Sequence, residues 1–300
     1  MKAVWFTIWF IVALCTAAVT AATEYPYTVT DDLGLEVTLT AEPTRVVAMI
    51  PSHTETLCAI RACDKLVGVD TYSNFPASVA DLPRLGSAFE PNLEALVALE
   101  PDLVLVDESS ELAGALRRAG IPVYAGTAQT YDEVFEKFTV LGELVNRETE
   151  AAVLSGRVEG GVTAISERAA QLEPTSVYFE IDATPYSVGP DSFIGALLSR
   201  AGGANIVTPD LGDFPQLDPE YVVVADPAVI IVSERDAGTL PERPGWAGIE
   251  AVQTGRVVPT TGPLDDAISR PGPRLVEAVR FFAQALHPEV FGPPETLPAR

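Results

Sequence analysis

The chain has 300 residues, 47 % of them hydrophobic, and a formal net charge of −23. That length and apolar content suit a globular protein with room for two ordinary domains and exclude a disordered chain. The acidic balance repels nucleic acid and anionic lipid, and with no basic stripe in the sequence a nucleic-acid role is disfavoured.

The chain opens with Met1-Lys2, the apolar run AVWFTIWFIVALCTAAV and then TAA. This order of a short positive region, an apolar stretch and small residues predicts an export signal over residues 1–21. A retained membrane anchor is the alternative, since about 17 apolar residues approach the length of a membrane span. Cys15 follows V-A-L, whose leucine stands where a lipobox needs a small residue, so lipidation is disfavoured. Loss of the first 21 residues removes Lys2 and no acid, taking the net charge to −24.

From Tyr27, YTVTDDLGLEVTL alternates around a turn and predicts a β-hairpin. Strands and helices then alternate: RVVAMI, LVGVD, DLVLVD and IPVYAG as strands, TETLCAIRA, NLEALVAL and SELAGALRRAG as helices. Apolar strands bounded by helices predict a parallel sheet covered on both faces, forming a first lobe over residues 22–130. Residues 131–173 lack proline and strand-like runs until Glu173-Pro174, and their apolar spacing of three and four predicts two helices. The second is up to about 26 residues, or roughly 39 Å, and Gly160-Gly161 is a candidate kink. The alternation resumes over 174–287, with SVYFEID, AVIIVS and RVVPT as strands and DSFIGALLSRAGG, PEYVVVA and GPRLVEAVRFFAQAL as helices. The proline-rich 288–300 reads as a loosely held tail. The expected fold class is α/β, with two Rossmann-like parallel-sheet lobes joined by a long helix.

One corner is built twice. Phe89, Asn92, Glu94 and Pro101 recur as Phe214, Asp218, Glu220 and Pro227, each set ending in a β-branched strand. Asn92 and Asp218 are good helix caps, and a glutamate in the first turn gains about 0.3–1 kcal/mol from the helix dipole. That suffices for one glutamate; two on equivalent lobes make a matched pair of charges. Cys58 and Cys63 are too far apart to bridge on an unbroken helix, and they bridge only where the helix ends between them; otherwise they are two small buried side chains. The sequence has no phosphate-binding glycine loop, no GxSxG elbow and no HExxH, and two cysteines with two histidines cannot close a structural zinc site. With only His53 and His287 available for a triad, a hydrolase is the distant alternative, and an exported binding protein with no resident cofactor or metal is the expectation.

The stretches RVVAMIPSHTETLCAIRACDKLVGVDTYSNFP, PNLEALVALEPDLVLVD and GPDSFIGALLSRAGGANI resemble the substrate-binding proteins of ABC importers for vitamin B12, haem and iron–siderophore complexes, most of all the vitamin-B12-binding members. The likeness spans about residues 26–287. It implies a ligand cleft between two lobes with little closure, delivery to an ATP-driven permease, and a monomeric periplasmic carrier. Carried over by position, it implies ligand contacts at Tyr72, Tyr186, Phe214 and Asp266. A further aromatic position of the family falls on Ala88, where Phe89 beside it fills the space. The bridge of the B12-binding members falls on Ala201 and Ala283 and is absent here. The resemblance also implies that Glu94 and Glu220 dock on the permease dimer.

A corrin or porphyrin is a wide amphipathic disc, for which flat aromatics supply contact area at low entropic cost. The corrinoid rim carries neutral amides, whereas an anionic siderophore requires arginines or lysines. Arg270 is the basic candidate near the cleft. Haem is the rival ligand, with Tyr72 or Tyr186 as iron ligands and His53 expected on a cleft-facing loop.

Overall fold

In the computed structural model the described residues are 22–295, so the expected signal segment lies outside them. The chain begins with the hairpin β1 (Tyr27–Thr30) and β2 (Glu36–Leu39), as its alternation predicts. The first lobe follows with β3 (Val46–Ala48), α1 (Pro51–Ala59), β4 (Leu66–Val69), α2 (Leu93–Ala98), β5 (Leu103–Val106), α3 (Leu112–Arg118) and β6 (Val123–Ala125). Then come α4 (Tyr131–Leu144) and α5 (Glu148–Ala169). The second lobe contains β7 (Thr175–Asp182), β8 (Tyr186–Ser187), α6 (Phe193–Arg200), β9 (Gly203–Asn205), α7 (Pro219–Ala225), β10 (Val229–Ser233), α8 (Glu234–Ala237), α9 (Glu250–Gln253) and β11 (Val257–Thr260). It closes with α10 (Gly262–Ser269), α11 (Leu275–Leu286) and α12 (Pro288–Phe291).

The two sheets share one topology. The first runs β4-β3-β5-β6, all parallel. In the second, β9, β7, β10 and β11 are parallel in that order, and the short β8 adds an antiparallel partner to the end of β7. In each lobe the first strand therefore sits between the second and the third, and the chain reverses direction across the sheet at that pair.

Strand alternation sends successive side chains to opposite faces. Val46, Ala48, Leu103 and Leu105 of one sheet and Val177, Phe179, Val229 and Ile231 of the other point into a single continuous core shared with α1, α4, α5, α6 and α11. The opposite faces are separate: Val47, Val104 and Val106 pack with Leu96 and Leu116, while Tyr178, Ile230 and Val232 pack with Val222 and Trp246. The lobes are thus joined by shared apolar packing on one side and independent on the other.

Helix α5 is continuous over 22 residues, about 33 Å. The glycine pair does not break it; a Cβ on Gly161 would lie 2.7 Å from Val276 Cγ2, so this glycine lets α5 and α11 approach closely. Helix α1 ends at Ala59 and Arg61 takes φ of 61°, which brings Cys58 and Cys63 to a Cα separation of 4.1 Å and a disulfide. Of the segment expected as a loose tail, the start is docked at α12: Arg168 Nη2 donates to the Val290 carbonyl at 2.6 Å with its guanidinium 4.8 Å from the Phe291 ring, next to the buried His287.

Substituting Gly161→Val should cost about 1–3 kcal/mol by overpacking. Gly160→Ala, with open space around its Cβ, should be neutral or stabilising by up to about 1 kcal/mol. Urea unfolding of the two variants checks the contrast.

Candidate functional site

Open parallel sheets bind ligands beyond the carboxyl ends of their strands, where strand order reverses. Both lobes turn that end toward the same cavity of about 880 Å³. Ile50, Pro51 and Ser52 follow β3, Asp107 follows β5 and Thr127–Thr130 follow β6. From the other lobe come Phe179–Ile181 at the end of β7, Ser233 ending β10, Thr260 ending β11, the start of α6, the Asp213-Phe214 loop and the segment Asp265–Pro271.

The cavity's charge is one-sided. Asp107, Glu180, Asp191, Asp213 and Asp265 line it, against one cation, Arg270. Glu180 is neutralised by a bidentate pair with Arg243 at 2.5 and 2.9 Å and accepts the Tyr178 hydroxyl at 3.1 Å. Burial raises the Asp265 carboxyl, partly offset by a hydrogen bond from Thr260. Arg270 is already engaged: Nη1 donates to Glu55 Oε1 and Asn74 Oδ1, both at 2.8 Å, and Nη2 donates to the Tyr72 carbonyl at 3.0 Å and Asp266 Oδ1 at 2.5 Å. Asn74 Nδ2 completes the ring by donating to Asp266 Oδ2 at 2.8 Å.

Beneath this ring, Arg274 grips the same Glu55 with Nε at 2.8 Å and Nη2 at 2.9 Å, and the Pro263 carbonyl with Nη1 at 3.0 Å. The Phe75 ring lies 4.7 Å from the Arg274 guanidinium. Glu55, Tyr72, Asn74 and Phe75 belong to the first lobe; Pro263, Asp266, Arg270 and Arg274 belong to the second. The Glu55 side chain is 1 % exposed and its partners 7 % and 10 %. Sequence reasoning missed Glu55 and Arg274 entirely. A glutamate within SHTETL gives no sign of a partner some 219 positions away.

Of the predicted residues, Phe214 and Arg270 line the cavity. Asp266 is spent on Arg270 and Asn74. Tyr72, Phe89, Tyr186 and Phe214 are all large apolar side chains left exposed, at 65, 89, 41 and 61 %. The Tyr72 loop is built by Asp70, which accepts from the Tyr72 amide at 2.8 Å and from Ser73 Oγ, while Arg84 gathers the carbonyls of Asp70 and Ser73. Tyr186 and Phe214 share one edge, because Tyr186 bridges to Gln216 and the Ser187 amide donates to the Pro215 carbonyl at 3.0 Å. His53 corrects its expected place. Pro51 opens α1 three residues earlier than the sequence suggests, so His53 sits in a helix, 2 % exposed, and does not line the cavity. Burial pushes its pKa down to about 4, against a smaller opposing pull from the Gly126 backbone.

The repeated corner is repeated to the level of the backbone. Asn92 accepts from the Ala95 amide and Asp218 from the Glu220 amide, and Glu100 and Asp226 end the two helices at φ of 45° and 44°. Glu94 and Glu220 are both exposed.

A sequence profile of the periplasmic binding proteins matches residues 46–263. The chain belongs to the periplasmic binding protein family. It is 32 % identical over 279 residues to an uncharacterised ABC transporter substrate-binding lipoprotein of Bacillus subtilis (strain 168), covering 89 % of this chain and 87 % of that one. To a cobalamin-binding protein of Halobacterium salinarum it is 31 % identical over 282 residues, covering 89 % and 75 %. Among solved structures, a possible iron-binding periplasmic solute-binding protein of Staphylococcus epidermidis superposes with a TM-score of 0.73 at 26 % identity, covering 82 % of this chain and all of that one. The family consists of substrate-binding receptors for ABC transporters and not of enzymes, and this chain has its two-lobed α/β fold. No helix among the described residues is long and apolar enough to cross a membrane.

Removing one partner of a buried ion pair strands the other charge, so Glu55→Ala should destabilise the protein by about 3–5 kcal/mol in denaturant titration. The depressed His53 pKa means the unfolded chain binds more protons between about pH 4 and 6.5. Its contribution is intact above pH 6.5 and is lost as pH falls toward 4. His53→Gln should reduce the stability difference between pH 7 and pH 4 by something on the order of 2–3 kcal/mol.

Proposed function

We propose that this protein is the extracytoplasmic carrier of an ABC importer and that its cargo is a corrinoid of the vitamin B12 type, held in the cleft between the lobes. The observation that carries the reading is the charge inventory of the cavity: beside Glu180, which Arg243 neutralises, four aspartates line it with one guanidinium whose outer donors are committed to Glu55, Asn74, Tyr72 and Asp266. Haem propionates or an anionic siderophore would need free cations there. Neutral amides around a corrin ring need only scattered acceptors and donors, and the exposed Phe214 and Tyr186 supply flat contact surface. The likeness to a cobalamin-binding protein supports the same choice. The burial of His53 takes away one of the iron ligands that a haem reading would use.

In this reading Tyr72, Phe89, Tyr186 and Phe214 form the contact set, Arg270 and Asp266 hold the cleft in shape, and Glu94 and Glu220 meet cationic groups on the two permease subunits. Exposed ion pairs add little affinity but set orientation and encounter rate. Residues 1–21 direct export, which N-terminal sequencing of the exported protein checks.

Equilibration with cobalamin, haem or a ferric siderophore, then desalting and an absorbance spectrum, tests the cargo. Retained cobalamin colour is expected, with Phe214→Ala weakening binding about tenfold. Retention of haem or the siderophore alone would overturn the corrinoid assignment. The pair Glu94→Lys and Glu220→Lys should abolish uptake while leaving cargo affinity unchanged; an equal fall in affinity would overturn the docking assignment.

A further inference from the structure

A second cavity, of about 600 Å³, lies on the helical side of the lobe junction, among α1, α5 and the start of α11. Its walls are apolar at Ala59, Phe75, Pro76, Val158 and Val276. Its charges come from Arg157, Arg274 and Arg280 against Glu55 and Glu277. This concentration of arginine is unusual in a chain with 19 basic and 42 acidic residues. Glu55 is neutralised by Arg270 and Arg274, and Arg270 in turn by Asp266. Arg157 and Arg280 make no hydrogen bond or ion pair among the described residues. What remains in the lining is two uncommitted guanidinia, one carboxylate, Glu277, and the apolar residues.

We propose that this cavity is a second ligand site, distinct from the cleft, for an amphipathic monoanion: a small aromatic or aliphatic carboxylate. The volume falls within the range of about 300–1,000 Å³ typical of small-molecule sites. The surplus of a single positive charge matches a monoanion, and Glu277 weighs against a polyanion. Guanidinium is the cation best matched to a carboxylate, since it presents paired donors in a plane. The apolar body of the ligand rests on Val158, Val276 and the Phe75 side, which a simple inorganic anion would leave unused.

The probe is 2-naphthoate, followed by its fluorescence during titration of the full protein, with 2-naphthol as the uncharged counterpart and acetate as the headgroup alone. Saturable binding of one equivalent is expected, with both counterparts weaker by about tenfold or more. The double variant Arg157→Ala/Arg280→Ala, both exposed positions, should weaken naphthoate about tenfold. The control Arg118→Ala/Arg235→Ala and the cleft variant Phe214→Ala should leave it unchanged. Naphthol binding as tightly as naphthoate would overturn the proposal. So would an unaffected double variant, or binding lost in Phe214→Ala, which would place the probe in the cleft. None of these readouts depends on what the cleft itself carries.

Discussion

Glu55 is a carboxylate taken almost wholly out of water and held by two guanidinia from the other lobe. Desolvating these charges is expensive, and their mutual attraction repays it only with good geometry and further hydrogen bonds. Here the geometry is bidentate with Arg274, while Asp266 supplies the second negative charge and leaves the set neutral. Such a set adds little to stability over an apolar replacement, but it penalises any rearrangement that separates its members. Since those members come from both lobes, the penalty falls on lobe motion. The continuous core shared by both sheets with α4, α5 and α11 acts in the same direction. Both features favour a cleft that is present before any ligand enters.

Pre-forming a cleft has a consequence for recognition. A rigid site gains affinity by avoiding ordering costs at the moment of binding. It also fixes what can enter. Arg270, the cation that lines the cavity, is committed to the bridge, and the lining aspartates set the electrostatic character of the cavity. The same residues thus bear on both the spacing of the lobes and the charge of the cavity between them.

Much of this was legible in the sequence, and the exceptions follow a physical pattern. The alternation of strands and helices, the long connector and the twinned corner at Asn92–Pro101 and Asp218–Pro227 all rest on local periodicity and capping, and the structure contains them. The Cys58–Cys63 bridge is not decided by spacing alone, because it depends on where α1 ends. The exposed aromatics were indicated by family likeness at loop positions. What stayed hidden was non-local. Glu55 and Arg274 are joined only by the fold, the docking of Phe291 on Arg168 looks like tail sequence, and β8 and β9 are too short to show a period. His53 was misplaced because Pro51 reads equally as the end of a strand loop or the first residue of a helix.

The central claim, that a buried ionic bridge sets the distance between the lobes, is tested most directly by electron-spin distance measurement between nitroxide labels at Glu111→Cys and Glu242→Cys, one exposed position on each lobe. The account predicts a narrow distance distribution that shifts by less than about 2 Å when cargo is added. It also predicts a broadened distribution when Glu55→Ala is introduced. A broad distribution in the unsubstituted bridge, or one that Glu55→Ala leaves unaltered, would contradict it.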